Sequence, residues 1–309
     1  MSIELSHQQV TPAADPALSL HVVTAGPPSG RPFLFLHGWP ESWRSWQDVM
    51  SAAAAEGARA IAVDLPGIGD SAPLTTGTPK RAGARKPAGA PKPAGAPKRR
   101  LAQAVHALVH HLRLDDLTLV GHDAGGMVAY AYLRQYGDLG RAVVMNTVIP
   151  GVDPWDEVLR NPYIWHFGLH AVPGLPETLV QGRQAAYFDY FYDILAADPA
   201  RLTPQARAAH AAAYRSETAL AAGFDLYRSF PSDARDNAAS AAAGPVETPM
   251  LYLRGDGEGG DLTAYARGFR RAGVTNLTTA LLADSGHFAP EEVPEQVWRH
   301  LRDFAAEGA

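Results

Sequence analysis

A chain of 309 residues with 46% hydrophobic content is long enough to bury a sizeable core, as one domain or as a core carrying an inserted subdomain. Its formal net charge of -5 argues against nucleic acid as a partner, and the absence of cysteine excludes disulfides, thiolate metal sites and a cysteine nucleophile. The opening residues lack a signal-peptide pattern and no apolar run reaches the ~18 residues of a membrane span, so the expected setting is the cytoplasm, with no membrane partner.

Short apolar runs alternate with longer amphipathic ones, the pattern of strands and helices around a mainly parallel sheet. Residues 18–25 and 33–36 read as strands, 43–56 as a helix and 60–64 as a buried strand. Residues 75–100 break the pattern with a tandem Lys-Pro-Ala-Gly-Ala-Pro repeat, eight basic residues and no acidic one. Such a segment cannot build a core and is expected to be a disordered insertion. Outside it, 19 basic residues face 32 acidic ones, so it is either a docking arm for an anionic partner or a tolerated insertion in a surface connection.

Leu101, Val105, Leu108, Val109 and Leu112 then recur at helical spacing, followed by a strand at 117–120, a helix at 125–136 and a strand at 141–148. From 150 to 247 the strand-like runs vanish and aromatic and Ala-rich helical segments take over, which reads as a helical cap. Strands resume at 250–253 and 277–282, and 294–306 forms a closing amphipathic helix. The expected division is a core in two parts, 1–149 and 248–309, bracketing a cap at 150–247.

Val120-Gly121-His122-Asp123-Ala124-Gly125-Gly126 lies between a buried strand and a helix and has the form of a nucleophile elbow, in which small residues let the chain turn so sharply that the central side chain projects above the sheet. The central residue is Asp123. A carboxylate there displaces a leaving group from saturated carbon and leaves an ester that water must cleave, which argues against a serine esterase. The competing structural role is an aspartate capping the following helix. Leu36-His37-Gly38-Trp39-Pro40-Glu41-Ser42 follows an early strand and could aim the Trp39 amide at the same point as the Ala124 amide, forming an oxyanion hole. Asp284-Ser285-Gly286-His287-Phe288 follows the last strand, where His287 can activate water.

With these residues the chain resembles the α/β-hydrolase superfamily, and within it the Asp-nucleophile epoxide hydrolases, over nearly its whole length apart from 75–100. The matching stretches are His37 to Ser42, the turn Asp64-Leu65-Pro66-Gly67-Ile68-Gly69-Asp70-Ser71, the elbow at Asp123 and Gly286-His287-Phe288. The resemblance implies a mainly parallel α/β sheet flanked by helices, with an inserted helical cap. It further implies that the Asp opens an epoxide, the His deprotonates the hydrolytic water, and cap acids hold the epoxide oxygen. Tyr227, in Gly223-Phe224-Asp225-Leu226-Tyr227-Arg228, looks like the cap tyrosine, and His166, in Tyr163-Ile164-Trp165-His166-Phe167, looks like its His/Tyr-type partner. Ordinary packing is the alternative role for both.

The third triad member comes, in that family, from one of two loops. One offers Asp256, Glu258 and Asp261 after the strand ending in Gly255, with Glu258 at the usual offset; the other offers Asn146, an amide that could orient an imidazole without offsetting its charge. Glu258 is the expected acid and Asp256 the alternative. No cofactor is expected, and no metal: His166 and His170 stand four apart without a third ligand pattern. The partners expected are a small-molecule substrate and water. Two further functions stay open: a haloalkane or fluoroacetate-type dehalogenase, whose carboxylate-binding Arg positions hold Ala124 and Met127 here and whose indole donor is replaced by Phe167, and a non-catalytic ligand-binding protein on the same scaffold.

Overall fold

Runs of five or six residues, most of them buried, line up as one sheet. In the computed structural model, which describes residues 4–74 and 95–307, the strands are β1 (Ser6–Val10), β2 (Leu20–Ala25), β3 (Pro32–Leu36), β4 (Arg59–Val63), β5 (Thr118–His122), β6 (Arg141–Met145), β7 (Met250–Gly255) and β8 (Leu277–Leu282). Their spatial order is β1-β2-β4-β3-β5-β6-β7-β8. β1, β2 and β4 pair antiparallel, and every other neighbouring pair is parallel.

Parallel pairs need crossovers, and crossover helices cover both sheet faces. These are α1 (Gln47–Ala55), α2 (Lys98–Leu112) and α3 (Ala124–Gln135) in the first half. Between β6 and β7 the described chain is helical: α4 (Trp155–Leu159), α5 (Trp165–Ala171), α6 (Leu175–Val180), α7 (Gln184–Leu195), α8 (Pro204–Ala213), α9 (Glu217–Arg228) and α10 (Phe230–Ala243). The chain then returns to the sheet with α11 (Leu262–Arg271), the short α12 (Ala289–Glu292) and α13 (Pro294–Ala306). One core layer packs Phe33, Phe35, Trp46 and Val49 against Trp298 and Leu301 of α13. The other joins α2, α3 and the helices between β6 and β7 into a single apolar cluster.

After β3 the chain builds β4 on one side, and then crosses to build β5 on the other. The carboxyl ends of β3 and β5 therefore flank the topological switch point, where open α/β sheets place their ligand crevices. The Trp39 loop follows β3 and Asp123 follows β5, so chain order alone brings the two together.

Three expectations need correction. The edge strand β1 was not foreseen, because Ser6, His7, Gln8 and Gln9 are exposed and carry no apolar alternation. The strand expected to reach 148 ends at Met145, since Asn146 takes a left-handed φ of 48° that turns the chain out of the sheet. The third correction concerns 75–100. Residues 75–94 lie outside the described residues, but 95–100 are not part of a disordered insertion. Ala96 N donates to Asp225 O at 2.9 Å, and Lys98 opens α2 with its side chain 2% exposed. Lys98 sits on the buried stripe that continues through Leu101, Val105 and Leu108. Its ammonium is satisfied there by Asp233 Oδ2 at 3.1 Å, Ser229 Oγ at 2.9 Å and the Leu226 carbonyl, so a buried cation is tolerated because it is paired.

Candidate active site

β5 is fully buried, and the chain must reverse direction at its end to feed α3. Asp123 makes that turn at φ 46° and ψ -119°, a conformation costly for a residue with a side chain. Its side chain makes no capping bond to α3, so the helix-cap alternative fails. Instead Asp123 Oδ2 accepts a 2.8 Å hydrogen bond from the Trp39 amide. The approach is possible because residue 38 is glycine: a Cβ there would lie 2.5 Å from Asp123 Cβ. Ala124 opens α3, so its N–H belongs to the first helical turn, whose amides have no intrahelical acceptor. One oxygen of Asp123 is thus held by an amide.

His287 stands in the loop between β8 and α12, and both backbone neighbours are clamped: Gly286 N and Phe288 N donate to the buried Glu292 carboxylate at 3.1 and 3.0 Å. His287 N donates to Leu195 O at 2.8 Å, which ties this loop to the end of α7. The ring Nδ1 pairs with Glu258 Oε1 at 2.7 Å, which leaves Nε2 as the free nitrogen. Glu258 ends a one-turn 3₁₀ helix directly after β7.

The two loops that competed to supply the acid meet on the same carboxylate. Asn146 Nδ2 donates to Glu258 Oε2 at 3.1 Å, so its amide bonds the carboxylate and not the imidazole. Asp256 is turned elsewhere and accepts from Ser285 N at 3.3 Å. Arg254, from the end of β7, reaches Glu258 Oε2 at 3.3 Å. Burial opposes ionisation of Glu258 most strongly, but Arg254, His287 and Asn146 together outweigh it and hold the carboxyl at about 2. A carboxylate so stabilised stays charged when the imidazole beside it gains a proton.

Beneath the elbow lies a pair that the sequence did not flag. His122 and Glu41 are fully buried, with Nδ1 and Oε2 2.8 Å apart. Glu41 Oε2 also accepts from Gly38 N at 2.9 Å, and His122 Nε2 donates to His287 O at 2.7 Å. Burial resists both charges, yet their mutual attraction holds Glu41 ionised and His122 protonated. One ion pair therefore joins the Trp39 loop, the elbow and the His287 loop. The signal was available: an ionisable residue at the end of a fully buried strand must find a partner.

Across the cavity, α9 contributes Tyr227 and α5 contributes His166, with ring centroids 5.9 Å apart. Both are mostly buried, and among the described residues neither the Tyr227 hydroxyl nor His166 Nδ1 has a hydrogen-bond partner. Burial, reinforced by the negative charge of Asp123, pushes the Tyr227 phenol well above its ordinary value, so it remains a donor. Burial, and then repulsion from His287, push His166 down to about 3, so it is a neutral imidazole. His170, four residues on, pairs through Nε2 with the Tyr187 hydroxyl at 2.8 Å. Asp123, His287, Glu258, Tyr227 and His166 all line one cavity of about 940 Å³, within the range of small-molecule sites.

A family model described as the alpha/beta hydrolase fold matches residues 31–294. A soluble epoxide hydrolase of Corynebacterium sp. (strain C12) is 29% identical, with 96% of each chain covered. Among solved structures, the epoxide hydrolase CorEH superposes with a TM-score of 0.81 at 27% identity, covering 98% of this chain and 99% of that one. The Cif epoxide hydrolase from Acinetobacter nosocomialis gives a TM-score of 0.80 at 25% identity, covering 97% and 88%.

Proposed function

Because this chain belongs to the alpha/beta hydrolase fold family and is similar to epoxide hydrolases along most of its length, we propose that it converts an apolar or aromatic epoxide to a vicinal diol through an alkyl-enzyme ester on Asp123. The helices from α4 to α10 act as a cap over the sheet, and substrate binds between the two.

The observation that carries the proposal is the 2.8 Å bond from Trp39 N to Asp123 Oδ2. It divides the labour of the two carboxylate oxygens. Oδ1 attacks a ring carbon from the side opposite the C–O bond, and that bond breaks as the ester forms. The departing oxygen takes the phenolic proton of Tyr227, while neutral His166 offers a hydrogen bond but no proton at neutral pH. Oδ2 becomes the ester carbonyl oxygen, already seated on the Trp39 amide. His287 Nε2 then removes a proton from water, whose oxygen adds to the ester carbonyl carbon. Charge gathers on Oδ2, where the Trp39 and Ala124 amides stabilise it. Glu258 offsets the imidazolium through its 2.7 Å contact with Nδ1. The ester C–O bond breaks, the diol leaves with the proton from His287, and the proton released by hydrolysis returns to Tyr227. Atoms balance as epoxide plus water.

Halide displacement would use the same nucleophile and base, but a halide needs fixed donors. Phe167 packs against Trp155, Phe230 and Tyr227 and offers none, which favours an epoxide. Ligand retention without turnover is disfavoured by the Glu258 to His287 contact, which a pure binder does not require. The test is diol formation across a panel of aryl and alkyl epoxides, run beside halide release from matched haloalkanes. Diol from at least one epoxide with no halide release is expected; halide release alone would assign the site to dehalogenation.

A further inference from the structure

At the opposite end of the sheet from Asp123, three ligating side chains converge. His106 and His110 lie one turn apart on α2, and Asp138 follows α3 just before β6. His106 Nε2 and His110 Nε2 are 2.9 Å apart, and Asp138 Oδ2 lies 3.1 Å from the second and 3.3 Å from the first. Three nearly equal short edges are hard to satisfy by hydrogen bonds alone. Each imidazole Nε2 has a single in-plane direction, carrying either one proton or one lone pair, so it cannot bond well along two edges of a triangle. A common centre satisfies all three. Ligands at the Zn–N and Zn–O radius of about 2.0–2.2 Å stand roughly 2.8–3.1 Å apart at the corners of an octahedron and roughly 3.3–3.6 Å apart in a tetrahedron, a range that covers the three edges seen.

The surroundings suit such a centre. Tyr132 Oη donates to Asp138 Oδ2 at 3.2 Å and fixes the carboxylate, as outer-shell donors do for ligating groups. The Tyr136 ring stacks on His106 at 3.8 Å and 14°, which fixes the imidazole plane. The His110 side chain is 60% exposed, so a metal ion from solution can enter. The sequence expectation of no metal did not weigh this pair, whose third ligand comes from a different element.

We propose that His106, His110 and Asp138 bind a borderline divalent transition metal, with Zn2+ as its representative, through Nε2, Nε2 and Oδ2, leaving the remaining coordination positions to water. Imidazole and carboxylate donors in this number suit such a cation better than Mg2+ or Ca2+. The ion would staple α2 to the turn between α3 and β6. It is remote from the hydrolytic site, so it acts on stability and not on the reaction.

Titration of metal-stripped, untagged protein with ZnCl2 by calorimetry tests this. One equivalent is expected to bind, with a rise in Tm of a few degrees at about 100-fold excess over Kd. His110→Ala and Asp138→Asn should each weaken binding at least tenfold while circular dichroism stays unchanged. His111→Ala, an exposed neighbour outside the triangle, should bind as the parent does. Absence of stoichiometric binding overturns the proposal, as does binding that survives intact in His106→Gln/His110→Gln; loss of binding in His111→Ala would move the site elsewhere on α2.

Discussion

The two walls of the cavity are built by different physics. On the sheet side every group assigned to the chemistry is held by directional bonds: Asp123 by the Trp39 amide, His287 by Glu258 and by Leu195 O, and Glu258 by three partners. On the helical side, Tyr227 is placed by ring packing against Trp39, Phe167, His170 and Phe230. In the proposed reaction its hydroxyl meets the epoxide oxygen. Hydrogen bonds fix atoms to within tenths of an ångström, whereas ring contacts tolerate sliding, so the sheet wall suits a reaction of fixed geometry and the helical wall suits substrates of varied shape. Substitutions on the sheet wall should cost the most catalytic rate, and those on the helical wall should cost less rate and redistribute selectivity.

The sharpest way to break that comparison is Asp123→Asn, which removes the nucleophile while keeping the shape. Diol formation should fall to the assay floor, with a melting temperature close to the parent's. Next in size, Glu258→Gln removes the counter-charge of His287 in the ester-cleaving step and should lower kcat by roughly 10²–10⁴-fold, with KM falling alongside as the ester accumulates. A loss confined to KM would place Glu258 in substrate binding instead. Tyr227→Phe should slow ester formation by roughly 10–10²-fold in stopped-flow or quenched mass measurements, and should reorder preference within an epoxide panel. An unchanged rate would remove Tyr227 from ring opening.

The smallest effect concerns His166 and acid stability. Its folded value of about 3 lies below the ordinary value of 6.5, so between those limits the unfolded chain binds more protons and stability falls as pH drops from 6.5 toward 3. One such group contributes up to roughly 1.4 kcal/mol per pH unit. His166→Gln should make urea midpoints less steep between pH 7 and 4.5; an identical slope would mean that His166 is not held neutral.

Much of this architecture was legible in the sequence, because parallel strands buried on both faces read as apolar runs and the elbow needs small residues at fixed places. That Glu258 would lie beside His287 was legible from its offset after Gly255. What escaped notice were groups whose partners lie far along the chain. The Glu41 to His122 pair spans 81 positions, and the Lys98 to Asp233 pair spans 135. A lysine next to Arg99 and Arg100 looks like the end of a basic run until its helical register puts it inside. Asn146 was a rival to Glu258 in sequence and is its hydrogen-bond donor in space, since both follow neighbouring parallel strands that end side by side.

The central claim is a covalent bond from carbon to Asp123 that only His287 can direct water to break. Intact-mass spectrometry of His287→Gln after mixing with an epoxide that the parent hydrolyses measures it directly. The account predicts an adduct equal to the mass of the epoxide, mapped to the peptide containing Asp123 and absent from Asp123→Asn. A variant that still forms diol without ever gaining that mass would contradict it.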